Sequence, residues 1–322
     1  MRPFPASVRG RADAARVLIA LALGLAAAIA WMSAWPLASL ASTVADYEGR
    51  GPYAVEVREI DVPRPAAGDA FGARLFVPHP DETDGGVLEV SPVYAFGHGY
   101  LAPVEVYEST LEHLASWGIT VVAPRSGGEL FPSHERFAAD LVAALDEVTS
   151  LAADDTWDGL PVDAGARAVG GHSMGGGAAV LAASLDPSIR TVATLNAADT
   201  RPSAITAAAD VTAPMLLVAG SEDRITPVDG HQRPIFEAAA GPAQLRTIEG
   251  GGHCGVLDRA DLMSIVCGGS SLEAGTQRDL AHGALAAWLR GQLMSDGTAE
   301  AAIWNLDPEG PVDVRVRGLA EG

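Results

Sequence analysis

Ala166-Arg167-Ala168-Val169-Gly170-Gly171-His172-Ser173-Met174-Gly175-Gly176-Gly177-Ala178-Ala179-Val180-Leu181-Ala182 is the stretch that decides the fold. Ala166 to Gly170 has the composition of a short buried strand. From Gly175 to Ser184, small residues follow one another as in a helix packed closely on a sheet. Between them, Gly171-His172-Ser173-Met174-Gly175 places a serine between glycines two positions away on each side. Such a serine sits on a strained strand-to-helix turn, and a Cβ at either glycine collides with the tight crossing. With 36 glycines and 19 serines in 322 residues, roughly 0.2 such pentapeptides arise by chance, so the flanking strand and helix carry the inference.

Working outward, period-two and β-branched runs alternate with alanine-rich helical stretches, which predicts an α/β fold with a mostly parallel central sheet and helices on both faces. Tyr53 to Val62 and Gly72 to Val77 read as an antiparallel leading hairpin. Val93–Phe96, Ile119–Ala123, Thr191–Leu195, Met215–Val218 and Leu245–Ile248 read as further strands. Val104–Ser116, Phe137–Leu151, Pro234–Ala239 and Leu280–Leu293 read as helices, and the alternating Val312 to Val316 offers an edge strand.

A serine hydroxyl is a poor nucleophile at neutral pH, so Ser173 requires a base, and the base requires an orienting acid. After Met215–Val218 comes Ala219-Gly220-Ser221-Glu222-Asp223-Arg224-Ile225-Thr226-Pro227, where Asp223 is the expected acid and Glu222 the alternative. The histidines are His79, His98, His113, His134, His172, His231, His253 and His282. His253 has the best address, following a strand on the flexible run Glu249-Gly250-Gly251-Gly252. His282 falls inside a helix, His231 follows Asp223 too soon, and His172 belongs to the elbow itself. The oxyanion of acyl transfer needs preorganised donors, expected to be the backbone N–H of Met174 and that of Tyr100, in the loop Gly97-His98-Gly99-Tyr100. His98 is expected to pack the loop.

Bulk properties limit the partners. Acidic residues outnumber basic ones by 41 to 21, and every basic residue is arginine, a balance that excludes a nucleic-acid partner. Residues 1–41 differ from the rest: Arg2, Arg9, Arg11 and Arg16 precede an apolar run from Val17 to Met32, and Ser39-Leu40-Ala41 fits a cleavage site. The expectation is an export signal cleaved after Ala41, or an uncleaved membrane anchor over Val17–Leu40. Residues 42–322 would then form one catalytic domain, secreted or held outside the cytoplasm. Without the leading segment 17 basic and 40 acidic residues are left, a charge of −23. Cys254 and Cys267, the only cysteines, suit a disulfide in an oxidising compartment and would hold the histidine loop in place. The histidines and carboxylates show no close ligand spacing, so no metal site is expected. Oligomeric state leaves no mark in the sequence.

These residues resemble the bacterial cutinase-like and polyester-hydrolase branch of the α/β-hydrolase superfamily, related to dienelactone hydrolases and plant chlorophyllases. The resemblance rests on Gly51-Pro52-Tyr53, Gly99-Tyr100, Gly171-His172-Ser173-Met174-Gly175-Gly176-Gly177, Asp223-Arg224-Ile225-Thr226-Pro227-Val228 and Gly252-His253. It implies a lidless serine esterase acting through an acyl-enzyme, calcium-independent or only calcium-stabilised and without an organic cofactor. Two features depart from the family. Where polyester-active members carry a tryptophan, this chain reads Leu195-Asn196-Ala197-Ala198-Asp199-Thr200, and both cysteines lie on the same side of the histidine loop. Short to medium acyl esters are therefore the expected substrates, with polyesters or lipids as the alternative and a non-catalytic binding module as the competing class.

Overall fold

Strand polarity organises the molecule. The computed structural model describes residues 42–64, 67–79, 89–259, 267–306 and 310–318. Among these described residues, nine strands form one sheet in the order β1-β2-β4-β3-β5-β6-β7-β8-β9. They are β1 (Ala54–Arg64), β2 (Asp69–His79), β3 (Ser91–Gly97), β4 (Thr120–Pro124), β5 (Val162–His172), β6 (Ile189–Leu195), β7 (Met215–Gly220), β8 (Ala243–Ile248) and β9 (Val312–Arg317). β4, β3, β5, β6, β7 and β8 run parallel to one another. β1 with β2, β2 with β4 and β8 with β9 pair antiparallel. This is the α/β-hydrolase arrangement expected, with the leading hairpin in place.

The parallel strands alternate their side chains between two apolar layers, because successive Cβ atoms leave opposite faces of a pleat. On one face Val93, Ala95, Leu217 and Ala219 pack with α2 (His134–Ala152), α3 (Met174–Leu185), α4 (Ala204–Ala208) and α5 (Gln232–Ala238). On the other, Tyr94, Phe96, Leu216 and Val218 pack with α1 (Glu108–Ser116), α6 (Ala274–Leu293) and α7 (Gly297–Ile303). Side-chain caps start several of these helices: Ser133 accepts from Arg136 N, Glu273 from Thr276 N, and Asp296 from Thr298 N and Ala299 N.

Two details differ from the expectations. The segment Val104–Ser116 is a 3-10 turn, Val104–Tyr107, followed by α1, with the break at Tyr107 (φ −114°, ψ 9°). α4 and α7 escape sequence reading because five and seven residues are too few to display a helical period. The tail adds the edge strand expected over Val312 to Val316, β9, paired with β8. The expected export segment lies outside the described residues. Among those described, no helix is long and apolar enough to cross a membrane.

Candidate active site

The carboxyl ends of the parallel strands carry the site. β5 ends at His172, and Ser173 turns sharply (φ 54°, ψ −118°) before α3 begins at Met174. Gly171 and Gly175 make the turn sterically possible: a Cβ on either would lie 2.3 Å or 2.0 Å from the Gly97 carbonyl oxygen of β3. The Ser173 N–H donates to Leu195 O (3.0 Å), and Ser173 O accepts from Ala198 N (2.9 Å), so β6 and its following loop hold the turn. Asn196 (φ 46°), on the loop after β6 that holds this turn, is strained as well, and its side chain reaches the His253 carbonyl.

Ser173, Asp223 and His253 meet here. Ser173 Oγ lies 3.0 Å from His253 Nε2, and His253 Nδ1 lies 2.7 Å from Asp223 Oδ2. All three residues are buried. Asp223 Oδ1 accepts from the N–H groups of Ile225 and Thr226, both at 2.8 Å, and Oδ2 accepts from Thr226 Oγ1 at 2.8 Å. Burial alone would raise the Asp223 carboxyl, but the bonds from His253 and Thr226 outweigh it and hold the group below its ordinary value. An ionised acceptor here keeps the His253 proton on Nδ1 and leaves Nε2 free to receive the serine proton. Glu222, the alternative acid, points elsewhere: its carboxylate accepts from Ser271 N and Ser271 Oγ, each at 2.8 Å.

The expected oxyanion donors are the backbone N–H groups of Met174 and Tyr100. Met174 opens α3 directly after Ser173, and Tyr100 follows the end of β3. Neither backbone N–H has a protein acceptor among the described residues. The Tyr100 side chain is half-exposed and its hydroxyl donates to Leu130 O (2.8 Å). His98 is buried and bonds Gly99 O and Ser126 O, both at 2.8 Å, in keeping with a packing role. His231 Nδ1 accepts from Asp199 N (2.9 Å), and His282 bonds Thr110 Oγ1 (3.0 Å) inside the core.

Several residues that sequence reading missed hold the machinery together. Asn196 donates from Nδ2 to the His253 carbonyl (3.0 Å) and accepts from Gly220 N (3.0 Å), tying the ends of β6 and β7 to the histidine loop. Gln277 of α6 clamps Gly252 through both its N–H (3.0 Å) and its carbonyl (2.8 Å). Thr226, three residues after Asp223, carried the one local signal, because a hydroxyl at that spacing reaches an aspartate side chain.

Cys254 and Cys267 form the expected disulfide, with a Cα–Cα distance of 5.7 Å. Closing this loop stabilises the fold by about 3 kcal/mol in the chain-entropy model. Cys267→Ser is expected to lose about that much unfolding free energy in urea. An unchanged urea midpoint would show that the bond constrains little.

One cluster was invisible in the sequence. Ligand-type atoms of Glu56, His79 and Asp158 lie within 4.8 Å of one another. Its centre is already cationic: Arg58 bonds Glu56 (2.7 Å) and Asp158, and His79 Nε2 bonds Glu56 (3.0 Å). The group is an ion-pair cluster on the leading hairpin, and a divalent cation there would have to displace the guanidinium.

The sheet is that of the α/β-hydrolase fold, and a hydrogen-bonded line of serine, histidine and aspartate lies at its strand ends. The chain belongs to the PETase family, described as PET hydrolase-like, whose model matches residues 37–261, a span containing Ser173, Asp223 and His253. It is 30% identical to Cutinase est1 of Thermobifida alba over 188 residues, 58% of each chain. It is also 29% identical to a cutinase of Thermobifida fusca (strain YX), covering 68% of this chain and 71% of that one. With Lipase 1 of Moraxella sp. (strain TA144) it shares 27% identity, covering 66% of this chain and 62% of the lipase. The match thus spans little more than half the length of the first of these relatives.

Proposed function

We propose that this chain is an exported carboxylic ester hydrolase working through an acyl-enzyme, with Ser173 as nucleophile, His253 as base and then acid, and Asp223 as the orienting carboxylate. The observation that carries the reading is the unbroken line of two hydrogen bonds from Ser173 Oγ through His253 to Asp223 Oδ2. Ser173 Oγ attacks the ester carbonyl carbon as its proton passes to His253 Nε2. The negative charge that develops on the carbonyl oxygen is received by the Met174 and Tyr100 N–H groups. Collapse expels the alcohol, which takes the proton from His253. Water then gives a proton to the same nitrogen as it attacks the acyl group, and Ser173 departs with that proton. Ester, water and these residues balance every step.

Short to medium acyl esters fit this reading. A second one, polyester hydrolysis, is favoured by an apolar ledge beside the donor loop. Tyr100, Leu101 and Leu130 are well exposed there, and Phe131 is 92% exposed. The relatives named as cutinases support the same extension. Residues 1–41 serve in this proposal as the export segment, cleaved after Ala41 or retained as an anchor. N-terminal sequencing of the protein recovered from medium and from membranes tells the two apart.

Purified residues 42–322 are expected to release p-nitrophenol from p-nitrophenyl butyrate and to be labelled by a fluorophosphonate at Ser173. An unlabelled serine together with absent turnover would sink the proposal. Release of hydroxy acid from emulsified polycaprolactone tests the polyester reading separately.

A further inference from the structure

His172 takes no part in the chemistry above, yet both of its ring nitrogens are engaged. It is 2% exposed. Its Nδ1 lies 2.8 Å from Tyr107 Oη and its Nε2 lies 3.0 Å from the carbonyl oxygen of His253. Tyr107 is wholly buried and accepts the N–H of Gly99 at 3.0 Å. A carbonyl only accepts, so His172 carries its proton on Nε2 and presents a lone pair at Nδ1. The phenol then donates to Nδ1 while it receives from Gly99. Burial raises the Tyr107 phenol, against the smaller opposing effect of the Gly99 N–H. Burial, followed by the nearby His253, pushes His172 down to about 3. Both groups therefore stay neutral at the pH of ester hydrolysis, and the direction of each bond is preserved.

We propose that Tyr107 and His172 are positioning residues, a buried relay that ties the oxyanion-donor loop at Gly99 to the backbone of His253 across the base of the nucleophile turn. The inference rests on the ester-hydrolase reading. Gly99 precedes Tyr100, whose N–H is the expected donor, and the Gly99 carbonyl in that same peptide unit accepts from Ala102 N (3.1 Å). With the Gly99 N–H held by Tyr107, the peptide plane carrying the donor is fixed from both sides. At the other end, the His253 carbonyl accepts from His172 and from Asn196 Nδ2 (3.0 Å), so both of its lone pairs are filled from opposite flanks. Gly99 is the residue that fits: a Cβ there would lie 2.9 Å from His172 Nδ1 and 3.0 Å from Tyr107 Oη. Ring packing encloses the relay, with centroids 5.1 Å apart for Phe96 and Tyr107, 5.6 Å for Tyr107 and His172, and 4.6 Å for His172 and His253. Base and donor thus keep a fixed separation on either side of Ser173, where small displacements are costly to rate.

Tyr107→Phe keeps the ring and removes the hydroxyl. It is expected to lower kcat on p-nitrophenyl butyrate about tenfold with KM unchanged, because substrate contacts are retained. His172→Phe should lose as much. His172→Gln, whose carboxamide offers one acceptor and one donor, should recover most of that loss. Independently of activity, 15N spectra of histidine-labelled wild type should show His172 as the Nε2–H tautomer with a hydrogen-bonded Nδ1, and Tyr107→Phe should shift the Nδ1 resonance towards that of a free lone pair. An unchanged kcat in Tyr107→Phe, or a wild-type His172 protonated on Nδ1, would overturn the relay. Should Tyr107→Phe fail to fold, the wild-type spectrum and the two His172 variants decide. A wild type that releases no p-nitrophenol defeats the ester-hydrolase reading instead, and its histidine spectrum still judges the relay.

Discussion

Asp223→Asn is expected to lower kcat on p-nitrophenyl butyrate by about 10^4-fold while leaving the fold intact. The carboxylate accepts the His253 Nδ1 proton at 2.7 Å and is itself held by two backbone N–H groups and Thr226 Oγ1. An asparagine NH2 placed against Nδ1 favours the opposite tautomer, so that Nε2 meets Ser173 Oγ with a proton in place of a lone pair. Ser173→Ala removes the attacking atom and is expected to cost more, about 10^6-fold. Glu222→Gln serves as the internal comparison. Its side chain bonds Ser271, away from the imidazole, so turnover should be unaffected. Strong loss in Glu222→Gln with retention in Asp223→Asn would reverse the assignment of the acid.

A second large effect concerns acid. Burial pushes His113 down to about 4, and His172 and His282 to about 3. His113 and His282 stack at 4.5 Å in the core, with Arg50 and Arg278 adding like charge. In the unfolded chain all three return to about 6.5. The folded state therefore binds fewer protons than the unfolded state. These groups favour folding fully above pH 6.5, and that stability is lost as pH falls towards their folded values. At most three protons are taken up on unfolding, so the slope approaches about 4 kcal/mol per pH unit only near pH 5. The urea midpoint should be flat from pH 8 to pH 7 and fall steeply below pH 6. A midpoint holding level down to pH 5 would refute the coupling.

Much of the site was legible because its signals are local. The strand, glycine-flanked serine and small-residue helix are consecutive, and Asp223 and His253 each follow a strand end, which in a parallel sheet brings loops to one edge. Choosing between Glu222 and Asp223 required the direction of two adjacent side chains, which spacing along a loop does not encode. His172 shows the other kind of gap. An elbow residue is badly placed to serve as the base, and the role of this one emerges only where Tyr107, 65 residues away, and His253, 81 residues away, come within hydrogen-bond distance. The Arg58 ion-pair cluster arises likewise, because hairpin register sets Glu56 opposite Val77, two positions from His79.

By itself, the sequence determined the alternation that buries two faces of a sheet, the strained turn bearing Ser173, the order of serine, acid and base, and the Cys254–Cys267 pairing. Each depends on residues near in the chain or on a choice among very few. Tertiary structure alone decided which carboxylate meets the imidazole, which polar side chains clamp its backbone, and which histidines stay neutral. Those outcomes follow from how strand ends meet and how deeply they exclude water, and a hydrogen bond between distant residues exists only after the sheet has brought both partners to one place.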